Sequence, residues 1–208
     1  MFSKLHFFLP LVFLLACDSR DTTSGVVKED SLKSRVDSIP MARKDSVKVS
    51  APLEKDVEYK KEIVRQANQM NVFLLKKDYK SFIKYANPAL VNKLGGEAEM
   101  IVALKNGFKE MKTAGNSITK ILVDEPNKVL AVGNELQTTV TETLEMKVKR
   151  GLLITKSVLI VISKDAGKHW YFMDTSGKDL KTLRTEMPEL SEELVIPPPV
   201  QAKLLEST

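Results

Sequence analysis

Leu136-Gln137-Thr138-Thr139-Val140-Thr141-Glu142-Thr143-Leu144-Glu145-Met146-Lys147-Val148 alternates along its whole length. Leu136, Thr138, Val140, Leu144, Met146 and Val148 share one parity, and Gln137, Thr139, Thr141, Thr143, Glu145 and Lys147 share the other. A period of two predicts a long strand with one face on a core and the other wet. If Lys149-Arg150-Gly151 is a three-residue loop with Gly151 left-handed, Val148 pairs with Leu152, Met146 with Ile154 and Val140 with Ile160. That register sets Leu144 opposite Lys156 and Glu142 opposite Val158, which makes Glu142 and Lys156 diagonal neighbours. Two readings follow: polar handles of a concave ligand pocket, or an ion pair at the sheet margin.

Strand-like character begins after Gly115, with a first strand over Ser117 to Val123 and turn chemistry at Glu125-Pro126-Asn127-Lys128. It ends near Asp174. In the last strand Trp170, Phe172 and Asp174 share one face, with His169, Tyr171 and Met173 on the other. Asp174 is therefore a candidate buried acid and a third candidate ligand-binding residue.

Before Gly115 the period is helical. Ile63, Ala67, Met70 and Leu74 form one stripe on a helix from about Val57 to Lys77, with Asp56 as its expected N-cap. Asp78 is suited to cap a second helix carrying Tyr79, Phe82, Ile83 and Ala86. Pro88 fits the first position of a short helical turn that Gly95-Gly96 closes. A third helix runs from about Glu97 to Thr113, with Ile101, Leu104, Phe108 and Met111 inward. Met70, Met100 and Met111 suit an adaptable ligand site, although core packing explains the same spacing.

The chain has 208 residues, a net charge of +5 and one cysteine. One ordinary domain with extensions fits that length, and no intramolecular disulfide is possible. Lysines and arginines are scattered among acids, so no phosphate-tracking face and no nucleic-acid partner is expected. His169 is the only histidine outside the first sixteen residues, and no spacing of metal ligands exists, so neither a metal nor a cofactor is expected.

At the N-terminus, Lys4 precedes an apolar run through Phe7, Phe8, Leu9, Leu11, Val12, Phe13 and Leu14, which ends in Leu14-Leu15-Ala16-Cys17. The run is shorter than the roughly 20 apolar residues a spanning helix needs. Leu14 to Cys17 resembles a bacterial lipobox. That resemblance implies removal of residues 1–16, a lipid on Cys17, and a membrane partner reached through that lipid. It also implies a cell-envelope location. Asp18 leaves the leaflet undecided, since acids near this position signal inner-membrane retention in enterobacterial lipoproteins and surface export in other groups; the outer membrane is the expectation. Residues 17–56 are polar, carry no aromatic residue and read as a tether that cannot bury enough surface to offset its ordering entropy.

Helices followed by curved antiparallel strands over 57–177 resemble the nuclear transport factor 2-like (cystatin-like) α+β fold. The resemblance implies three helices packed on a bent four-stranded sheet that leaves a cone-shaped cavity. Ser163-Lys164-Asp165-Ala166-Gly167-Lys168-His169-Trp170 also resembles the Asp-box hairpin of sialidase-like propellers, which shapes a turn and does no catalysis. Residues 178–208 are expected to hold a short helix and a flexible tail containing Pro197-Pro198-Pro199. The reading as a whole is a non-enzymatic, membrane-anchored domain for a small apolar ligand or an envelope protein. Its alternative is a small hydrolase or isomerase using Asp174 or His169 inside the cavity.

Overall fold

The computed structural model describes residues 51–206. Cys17, the leader and most of the tether lie outside the described residues. The fold is α+β: helices α1 (Ala51–Leu75), α2 (Tyr79–Ile83), α3 (Pro88–Lys93) and α4 (Glu97–Thr113) precede an antiparallel sheet. Its strands are β1 (Ser117–Val123), β2 (Leu130–Val132), β3 (Glu135–Val148), β4 (Gly151–Ser163), β5 (Tyr171–Asp174) and β6 (Lys203–Glu206). A fifth helix, α5 (Leu180–Glu186), falls between β5 and β6. The sheet therefore has six strands rather than four, and the helices are not confined to the N-terminal side of it.

The two long strands form its spine. On one edge β3 pairs with β2 and β1; on the other, β4 pairs with β5 and β6. The hairpin register differs from the expected one by a residue. Val148 pairs with Gly151, so Lys149-Arg150 is a two-residue turn and Gly151, at φ 142°, belongs to the strand. Because side chains alternate, that single step exchanges the two faces of β4. Ser157 stands opposite Glu142, Lys156 stands opposite Thr143, and Val140 meets Leu159.

One sheet face takes α1. Ile63, Ala67 and Met70 of α1 pack on Val140, Leu159, Val161, Trp170 and Phe172. Each large side chain withdrawn this way contributes on the order of 1.5–3 kcal/mol. Two buried amides fix where α1 sits. Gln66 accepts the Trp170 N–H at 2.9 Å and donates to the Lys168 carbonyl at 2.9 Å, and Asn71 reaches the middle of β3. Asp56 is not an N-cap, since α1 begins at Ala51; its carboxylate accepts from the Val129 N–H at 2.9 Å instead. Asp78 and Asn87 do cap α2 and α3, with Pro88 in the first turn of α3.

At the hairpin tip the same face is closed by Met111 of α4 with Leu144 and Met146. The opposite face is not uniformly wet. Ile160, Ile162 and Met173 are covered by Leu183 of α5 and by Leu190 and Leu194 beyond it. The C-terminal segment, expected as a loose tail after its helix, thus buries two leucines and returns to pair with the first half of β4.

Candidate functional site

Between the two apolar clusters on the helix-facing side lies a cavity of about 140 Å³. Its walls come from Met70 and Leu74 of α1, Phe82 of α2, Phe108 of α4, Ile121 of β1 and Leu144 of β3, among others. Phe82 and Phe108 line it without filling it. The polar groups on its wall are Asn71, Glu142, Ser157 and Asp174.

The register explains their convergence. Glu142 pairs with Ser157 across β3 and β4, and Leu159, two residues on from Ser157, pairs with Asp174 of β5. Residues two apart share a face, so Glu142, Ser157 and Asp174 form a row crossing three strands. Asn71 Nδ2 donates to Glu142 Oε1 at 2.7 Å from above. Asp174 Oδ1 accepts the Ser176 N–H at 2.5 Å. Glu142 Oε2 takes no hydrogen bond within the described residues.

Both acids are pushed toward their neutral forms. Burial lifts Glu142 to about 7; the neighbouring Asp174 charge adds to this, and the Asn71 hydrogen bond works against it. Burial likewise raises Asp174, opposed by hydrogen bonds from the Ser176 N–H and from Ser157. Among the described residues, no Lys, Arg or His lines the cavity to compensate them. An acid that titrates near neutrality can accept or release a proton there, and an ionised one can hold a cationic head.

Of the candidate residues, the structure brings Glu142 and Asp174 together and separates Lys156 from both. Lys156 is exposed and points from the other sheet face, so the Glu142–Lys156 pair does not form. The cause is the two-residue turn, which no residue of Lys149-Arg150-Gly151 announces. Met70 and Met111 line the cavity, whereas Met100 is wholly buried in the packing of α2 to α4. His169 lies elsewhere. Its Nε2 bonds the Lys84 carbonyl at 2.9 Å, and its ring sits 5.5 Å from that of Tyr85 and 4.7 Å from that of Tyr171. The hairpin around it is held by Asp165, whose Oδ1 accepts from the Ser163 hydroxyl and from the His169 N–H, both at 2.9 Å.

Asn71 and Ser157 were not candidates from sequence. Asn71 left a trace: it follows Ile63 and Ala67 at intervals of four, a polar residue on an apolar stripe. Ser157 left none, because its face depends on the turn. Among the described residues no three His, Cys, Asp or Glu side chains gather as a metal site, and no helix is long and apolar enough to cross a membrane. No known protein family matches this chain, and no curated protein matches it significantly.

Proposed function

We propose that this chain is a lipid-anchored bacterial envelope protein, attached through Cys17 in the outer membrane, whose folded part is a nuclear transport factor 2-like binding domain for a small, largely apolar ligand. The lipobox-like Leu14 to Cys17 motivates the anchor. One observation carries the binding function: a mostly apolar cavity of about 140 Å³ with a few convergent polar groups on one wall. A well-packed core leaves few voids larger than a water, and a dry cavity of about 150 Å³ is large enough to take benzene. Native mass spectrometry of the full chain, purified gently from its own cells, tests the ligand. A reproducible added mass supports binding, and a clean apo mass shifts the role to docking an envelope protein. Incorporation of labelled palmitate, lost in Cys17→Ser, tests the anchor; label retained in that variant refutes it.

A second reading rests on Glu142 and Asp174 sharing the cavity: a small hydrolase or isomerase in which Glu142 moves a proton. It predicts that a co-purified ligand is chemically altered by the wild-type chain and left intact by Glu142→Gln. His169 takes no part in it.

A further inference from the structure

We propose that the ligand is a small organic amine, its ammonium group held between Glu142 and Asp174 and its apolar body lying against Leu74, Phe82 and Phe108. This rests on the ligand-binding reading above and narrows it to one charge class. Three observations on the cavity converge.

The first is sign. Among the described residues, Glu142 and Asp174 are the only ionisable side chains in the lining, contributed by β3 and β5, while α1, α2, α4, β1 and β4 supply none. Lys156, the one cation the sequence sets near them, faces away. Two carboxyls in an apolar wall repel an anion wherever they ionise and leave a cation uncompeted.

The second is unused bonding capacity. A carboxylate offers about four acceptor sites and an ammonium three donors. Glu142 spends one oxygen on Asn71, and its Oε2 has no partner among the described residues. A hydrocarbon would leave that oxygen unsatisfied, at a cost that an ammonium removes.

The third is size. A volume of about 140 Å³ matches one ring and a short arm, not a chain or a nucleotide. The row Glu142, Ser157, Asp174 runs along one wall, and the aromatic rings of Phe82 and Phe108 come from the helices, so head and body have separate places.

The test uses three probes of one shape and different head: benzylamine, benzyl alcohol and benzoate, each titrated calorimetrically at pH 8 into the full chain. Benzylamine is expected to bind at least about tenfold tighter than benzyl alcohol, with benzoate weakest, as a desolvated charge contact demands. Glu142→Gln and Asp174→Asn should each weaken benzylamine about tenfold and leave benzyl alcohol within about twofold. Circular dichroism checks that each variant folds, and the probe comparison on the unmutated chain stands if one does not. Benzyl alcohol binding as tightly as benzylamine overturns the amine assignment and leaves the apolar-ligand reading in place. Failure of all three probes on the folded chain overturns both.

Discussion

Replacing Glu142 with Gln should stabilise this protein at alkaline pH and change little at acid pH. Folding raises the carboxyl from 4.5 to about 7, chiefly by burial. Between those values the folded chain keeps a proton that the unfolded chain releases. Stability is therefore fully present below about pH 4.5, falls as pH rises, and levels off above about pH 7. At about 1.4 kcal/mol per pH unit the whole loss is about 3 kcal/mol, of which roughly 2.5 kcal/mol falls between pH 5 and pH 8. Gln is isosteric with the protonated acid, and its carbonyl can still accept from Asn71, so the variant escapes the loss. Thermal unfolding of both chains, followed by circular dichroism at pH 5 and pH 8, reads the effect. For a domain of this size the melting-temperature gap between variant and parent should widen by roughly 5–10 °C from the lower pH to the higher. Parallel pH dependences in the two chains would refute the claim that Glu142 is held neutral by its surroundings.

Asp174→Asn removes the neighbouring charge that helps raise Glu142, so the pH midpoint of the stability loss should move down, as seen by titrating the melting temperature. Gly167→Ala sets a Cβ about 2.5 Å from Tyr59 Cε1 at a φ of +87°, and Tyr59 is itself braced edge-on against Trp170. This should cost on the order of 2 kcal/mol in urea unfolding; an unchanged midpoint would mean that α1 is not seated on the hairpin as described. Leu190→Ala should cost about 2–5 kcal/mol because Leu190 is 1% exposed under the sheet, whereas a loose tail would make the change silent.

Elements governed by local chemistry were legible. Helix α4 spans Glu97–Thr113 and strand β1 spans Ser117–Val123, the ranges their periods indicate, and Asp78 caps α2 through its side-chain oxygen. What escaped was set by partners distant in sequence. Gln137 and Thr139 look like members of a wet face, yet both are buried. Gln137 donates to the Glu189 carbonyl and accepts the Ser191 N–H, and Thr139 donates to the Val195 carbonyl. Polar strand residues facing solvent and polar strand residues receiving a returning chain read alike. Glu142 and Asp174 were identified from the β pattern alone, but the company they keep was not. Asn71 belongs to a helix and Ser157 to a strand whose orientation turned on one residue at the hairpin tip.

That one residue decides the chemistry of the cavity. With a three-residue loop Lys156 would lie diagonally across from Glu142, and the row would be an ordinary ion pair of modest consequence. With the two-residue turn, Ser157 takes the facing place, a hydroxyl too weakly polar to compensate a carboxylate, and the next group along is a second acid. Packing does not ask for this. Val140, Leu159 and Val161 on one side and Leu144 and Met146 on the other would be bridged without conflict by an apolar side chain at position 142, and among the described residues only Asn71 bonds that carboxyl. Where local patterning, burial and polarity all favour an apolar residue and the chain holds an acid with a free oxygen, the discord supports the proposal that position 142 serves binding rather than stability.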